Sequence, residues 1–98
     1  MRKAELLKTT KQKLAIWNYS KRTIDSYLSA VNHFANWLIQ EKVTTMNDRI
    51  VEKYLFELKE NKKRSIPVIK QSVSAIKFVF SNVLAWLIHP VEYAIFYE

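Results

Sequence analysis

Apolar residues recur along this chain at spacings of three and four, the period of an amphipathic helix, in four separate stretches. The first runs from about Lys3 to Trp17. Leu7, Leu14 and Trp17 share a face there with Leu6 beside it, while Lys8, Lys11 and Lys13 lie mostly off it. The second, from Lys21 to about Gln40, has the strongest stripe: Ile24, Tyr27, Leu28, Val31, Phe34, Ala35 and Leu38. Arg22, Ser26, Ser29, His33 and Asn36 line its polar face, and Ser20 stands where an N-cap hydroxyl accepts an early backbone N–H. The third, from about Asn47 to Glu60, carries Ile50, Val51, Tyr54, Leu55 and Leu58. Thr45 and Asn47 compete as its N-cap, and Asp48 suits the positive end of the helix dipole. The fourth runs from Ile66 to about Trp86, with Ser65 as cap and Pro67 tolerated in the first turn. Ile69, Val73, Ile76, Phe80, Val83, Leu84 and Leu87 form its core stripe, opposite Lys70, Ser74, Lys77 and Ser81, with Gln71 adjacent.

Short polar connections between these stretches suit antiparallel neighbours, so residues 1–88 read as one compact, all-α, four-helix domain. In the basic loop Lys59–Arg64, Asn61 is the residue expected to take the left-handed backbone that glycine usually provides. Pro90 ends the fourth helix and sets residues 89–98 apart as a linker. Ile88, Val91, Tyr93, Ile95, Phe96 and Tyr97 make this end more apolar than an exposed tail, so it should pack on this domain, a neighbouring domain or another copy.

Composition narrows the chemistry. The chain has no glycine, which excludes phosphate-cradling glycine loops and dinucleotide fingerprints. It has no cysteine, which excludes disulfides, thiolate catalysis and cysteine zinc sites. His33 and His89 are the only histidines, and no carboxylate stands at metal-ligand spacing from them, so no metal and no other cofactor is expected. No carboxylate pair suggests acid–base work, and the chain should not itself be an enzyme. The longest apolar run, Val83–Ile88, is far below the ~20 residues that a membrane helix needs, and no signal-peptide core follows the basic N-terminus. A soluble cytoplasmic protein without a small-molecule ligand is the expectation.

Charge then gives a direction. The net charge of +7 is concentrated in residues 1–22, with seven Lys/Arg against one Glu, and in residues 59–77, with six against one. Two basic blocks on a near-neutral body attract polyanions, nucleic acid first among them. Ordinary solubility charge is the plainer alternative.

The order of motifs resembles a known family. Asn18-Tyr19-Ser20-Lys21-Arg22-Thr23-Ile24-Asp25-Ser26-Tyr27-Leu28, followed by Phe34, Trp37 and Leu38, is similar to the opening of the SAM-like core-binding domain of tyrosine recombinases and phage integrases. Val73-Ser74-Ala75-Ile76-Lys77 with Phe80 resembles the family's fourth-helix pattern, and His89-Pro90 stands where the family often has Asn-Pro. Asn18 and Asn61 replace common glycines, and Val68 replaces a small hydroxyl residue that would touch phosphate.

The resemblance implies an orthogonal four-helix SAM-like bundle. It implies that double-stranded DNA is clamped between this domain and a C-terminal catalytic domain, which holds the nucleophilic tyrosine and would begin near the end of this chain. Other recombinase protomers on the same DNA would be partners, in the nucleoid of a bacterium or archaeon. It also places the second and fourth helices against the duplex, where residue chemistry agrees. Ser20, Lys21, Arg22 and Thr23 put hydroxyls, cations and free N–H groups at a positive helix end suited to phosphate. Lys70, Gln71, Ser74 and Lys77 form a face able to enter a major groove, and Lys62, Lys63 and Arg64 would add phosphate contacts. For each group the plain alternative is a solvated surface. Tyr27, Tyr54, Trp37 and Trp17 read as core or partly buried aromatics. A competing reading of the whole is a helical protein-interaction module that docks through its apolar tail and is steered by its charge.

Overall fold

The computed structural model describes residues 2–43 and 47–84. Four α-helices follow one another: α1 (Lys3–Ile16), α2 (Lys21–Gln40), α3 (Asp48–Glu60) and α4 (Ile66–Val79). A π-helical turn, Phe80–Leu84, continues α4, and among the described residues there is no strand. The four predicted helices are therefore present, with the fourth changing its winding after Val79. The expected positions at Thr45, Trp86 and Leu87, and the whole tail from Ile88 to Glu98, lie outside the described residues.

Polar side chains start two of the helices as expected. Ser20 Oγ accepts the Thr23 N–H at 3.2 Å, and Asn47 Oδ1 accepts the Ile50 N–H at 3.1 Å. Ser65 does not behave this way: it occupies the N-cap position of α4 with extended backbone, but its side chain accepts no cap hydrogen bond. Pro67 lies in the first turn, where its missing N–H costs nothing.

Without glycine, the helix ends close on other residues. Asn18 (φ 62°), Lys42 (φ 56°) and Lys63 (φ 51°) adopt the left-handed conformation. At Asn18 the closure is a Schellman turn, with Asn18 N–H donating to Ala15 O at 3.0 Å and Tyr19 N–H to Leu14 O at 3.1 Å. Lys42 repeats it, and Val43 N–H donates back to Leu38 O at 3.0 Å while its side chain packs on the core. The expected turn at Asn61 is wrong by two residues. Asn61 stays helical (φ −89°, ψ −41°) and Lys63 reverses the chain.

The interior has two connected halves, and α2 crosses both. Phe34, Trp37 and Leu38 meet Tyr54 and Leu58 of α3 and Ile76 of α4. Val31 and Ala35 meet Leu6 of α1, Ala75 and Val79 of α4, and Val83 of the π turn. Phe34, Trp37 and Tyr54 lie ring against ring at 4.8–6.4 Å, and the Trp37 indole N–H donates to the Glu57 carboxylate at 2.8 Å. Lys3 Nζ donates to Asn36 Oδ1 at 2.8 Å, which ties the start of α1 to the later half of α2 and makes the two antiparallel.

Two stripes differ from expectation. On α1 the buried residues are Leu6, Thr10 and Leu14; Leu7 is half-buried, and Trp17 is 64% exposed. By angle Trp17 belongs to the stripe, but it is the C-cap residue, where the chain leaves the helix and no described element covers it. On α4 the buried line is Ser72, Ala75, Ile76 and Val79, while Ile69, Val73 and Phe80 are only half-buried. Small residues let α4 lie close to α2, so the larger apolar side chains move to the flank beside α3.

Candidate nucleic-acid interface

Helix geometry decides which of the predicted binding residues can act together. Ser20, Lys21 and Arg22 are exposed at the start of α2, and Thr23 is half-buried. The Ser20 hydroxyl is already engaged: it accepts from the Thr23 backbone N–H and donates to Thr23 Oγ1 at 3.0 Å. Lys21 Nζ pairs with Asp25 Oδ2 at 3.3 Å, both side chains being largely exposed. Such a pair adds little stability in water. It does place a carboxylate one turn behind the cation that would meet phosphate.

Lys70, Gln71, Ser74 and Lys77 are all exposed, on the side of α4 away from Ala75 and Val79. Ser74 Oγ donates to the Lys70 carbonyl at 3.1 Å, so this hydroxyl too is partly committed to its own helix.

The two groups are joined by an aromatic bridge. Tyr19, immediately before Ser20, packs its ring edge-on against Phe78 at 5.8 Å and lies 5.8 Å from Tyr27. Tyr27 meets Phe78 at 6.2 Å. Phe78 follows Lys77 directly, so the start of α2 is fixed beside the flank of α4. Gln71 and Arg64 line a groove of about 400 Å³ together with Asp25, Ser26, Ser29 and His33 of α2. Lys62 and Arg64 also border a neighbouring depression with His33, Asn36 and Gln40. The basic loop thus lies over the polar face of α2, and Lys63 is exposed at its left-handed turn.

Lys77 stands apart from this group. It lines a shallow, mostly apolar depression between α3 and α4, which also holds Asp48 and Glu52. Val68, the departure from the family pattern, is 40% exposed and borders the Gln71 groove.

His33, on the polar face of α2, is exposed and lines both the groove with Arg64 and Gln71 and the depression with Lys62. The regular series Ser26, Ser29, His33, Asn36 was the available signal, but a polar helix face is usually just solvated. Beneath it, burial pushes the Tyr54 phenol up to about 12; the nearby Arg64 guanidinium opposes the rise and the Glu57 carboxylate adds to it.

Among the described residues no group of three or more His, Cys, Asp or Glu side chains could hold a metal. No helix there is long and apolar enough to cross a membrane.

Four α-helices around one apolar interior, with no strand among the described residues, define the class: a small all-α helical module. The family model for the phage integrase N-terminal SAM-like domain matches residues 6–89, and the chain belongs to that family. No curated protein and no solved structure matches it significantly.

Proposed function

We propose that this domain grips duplex DNA as the core-binding part of a tyrosine site-specific recombinase, beside the site of strand exchange, and that a C-terminal domain of the parent protein carries out the cleavage. Ser20–Thr23, Lys62–Arg64, Lys70, Gln71, Ser74 and Lys77 are the contact residues. Family membership supplies the class of activity. The observation that carries the DNA reading is the Tyr19–Tyr27–Phe78 bridge, which keeps the basic start of α2 beside the exposed flank of α4.

Within that set the roles differ. Lys21, Arg22, Lys62, Lys63 and Arg64 act as phosphate-neutralising cations. Ser20 and Thr23 serve mainly by capping the helix, since the Ser20 hydroxyl takes the Thr23 N–H and bonds the Thr23 hydroxyl, which leaves the Lys21 and Arg22 backbone N–H groups to meet phosphate. Gln71 and Lys70 are the side chains with the reach to touch base edges.

The test is a salt titration of duplex binding. Neutralising about five phosphates gives a slope of log K against log salt near −4.5. The Lys21→Ala/Arg22→Ala double variant should reduce the magnitude of that slope by about 1.8. An affinity that does not change with salt would overturn the reading. A protein-contact role is favoured by exposed apolar side chains such as Phe56, 65% exposed on α3. Sedimentation that reveals a stable oligomer, with no duplex binding at low salt, would move the conclusion there.

A further inference from the structure

The largest apolar exposure next to the basic surface is not used by any contact above. Ile16 is 74% exposed and Trp17 is 64% exposed, side by side at the corner between α1 and α2. We propose that these two side chains form an apolar knuckle that packs against the deoxyribose edges beside the phosphates held at the start of α2. The proposal rests on the DNA-binding reading and adds to it a contact that is neither ionic nor base-specific.

Three observations support it. The first is rigidity. The corner is closed by the Schellman hydrogen bonds of Asn18 and Tyr19, both to carbonyls of the last turn of α1. Leu14 anchors it on one side, fully buried, and Tyr19 anchors it on the other by packing on Tyr27 and Phe78. A knuckle held at both ends loses little conformational freedom on binding, which is the requirement for an apolar contact to add affinity.

The second is charge. Lys13 precedes Trp17 by one helical turn, and Lys21 and Arg22 follow it by four and five residues. The nearest carboxylate in sequence, Asp25, is paired with Lys21. Whatever covers this apolar pair lies next to the cationic start of α2, and an apolar strip bordered by anionic groups fits that position. The backbone of duplex DNA has that pattern: sugar edges between phosphates.

The third is distance along the chain. Only Asn18 and Tyr19 separate Trp17 from Ser20, the first residue of the phosphate-facing helix end. A phosphate at that end therefore brings its own sugar to the knuckle.

The experiment compares the unmodified chain with Trp17→Ala and Trp17→Phe, using a fluorescein-labelled duplex and acrylamide quenching of tryptophan emission. The part of the emission lost in Trp17→Phe belongs to Trp17. It should be readily quenched in the free protein and protected when duplex saturates. Trp17→Ala should bind about tenfold more weakly with an unchanged salt slope, because an apolar contact releases no counterions. Circular dichroism checks that this exposed substitution leaves the helices intact.

The DNA-binding reading and the knuckle can fail separately. No salt-dependent binding by the unmodified chain ends the first, and the second with it. Normal binding, with Trp17 equally quenchable in free and bound states or with no loss in Trp17→Ala, overturns the knuckle alone. Trp17 already protected before DNA is added also overturns it, because another part of the chain or a second copy then covers the pair.

Discussion

Lys42 has φ 56° at the end of α2, a conformation that suits glycine and crowds the Cβ of any other residue. Val43 N–H bonds Leu38 O across it and both side chains pack in the core, as a Schellman closure requires, so the strain is imposed by the fold. Lys42→Gly should therefore stabilise the domain, by about 0.5–1 kcal/mol after the entropy of the freer unfolded chain is subtracted. A urea titration at constant m-value measures it. Tyr54 gives a second case. Its folded-state pKa of about 12 lies above the ordinary 10, so the neutral phenol favours the fold. That contribution is complete below pH 10 and is lost as pH rises through 12. Tyr54→Phe should keep most of the stability at pH 8 and be less sensitive than the unmodified chain between pH 10 and 12, as read by denaturant midpoints along a pH series. The sequence marks Tyr54 as a core aromatic, and it is buried, but nothing in it marks Lys42 as left-handed. Asn61 looked like the better left-handed residue, since asparagine tolerates that region, but the turn is fixed by where the last apolar contact of α3 ends. The pair Leu38 and Val43, five apart across a basic residue, was the readable sign of the turn at Lys42.

At the scale of the helices, all four were legible because apolar periodicity is a local property. What was not legible is which arc of each stripe faces which neighbour. On α4 the large residues Ile69, Val73 and Phe80 dominated the reading, yet Ser72 and Ala75 turned out to face α2, because close approach of two helices needs small side chains. On α1 the buried Thr10 went unread because a threonine adds nothing to an apolar stripe; its hydroxyl has no hydrogen-bond partner among the described residues. The candidate site behaves the same way. Residue type nominates the start of α2 as a binding site, while its internal ion pair is hidden from that reading. Lys21 and Asp25 pair at 3.3 Å, and a phosphate approaching Lys21 meets that carboxylate. Asp25→Asn removes the repulsion and frees the cation. Duplex affinity should rise several-fold at low salt, roughly the effect of one surface charge within a Debye length of about 10 Å at 0.1 M. The gain should shrink as salt is added. Unchanged affinity at low salt would mean that the α2 end does not approach phosphate. Helix stability should scarcely change, since an exposed i,i+4 pair contributes about 0.3–0.5 kcal/mol.

Across the whole molecule the predicted surface is not one uniform patch, and the packing of α3 decides its edge. Arg64, Gln71 and the polar side chains of α2 share one groove. Lys77, on the same exposed side of α4 by sequence, instead borders the depression that contains Asp48 and Glu52. No reading of α4 alone could reveal this, because those carboxylates reach Lys77 only through the docking of α3 on α4. The consequence for binding is a difference between two lysines that look equivalent on the helix wheel. Lys70 is exposed and lines none of these grooves, and its removal is expected to take away a full phosphate contact. Lys70→Ala should then reduce the magnitude of the salt slope by about 0.9. Lys77 lines the same depression as two carboxylates, Asp48 and Glu52, which would repel a phosphate placed there. Lys77→Ala should change the slope by less, and the Asp48→Asn/Glu52→Gln double variant should restore Lys77 to a full contact and steepen the slope of the otherwise unmodified chain. Equal slope losses for Lys70→Ala and Lys77→Ala would mean that the duplex lies centrally along α4 and reaches over to the α3 side. Unequal losses fix its path along the α2 side, past Gln71 and Arg64.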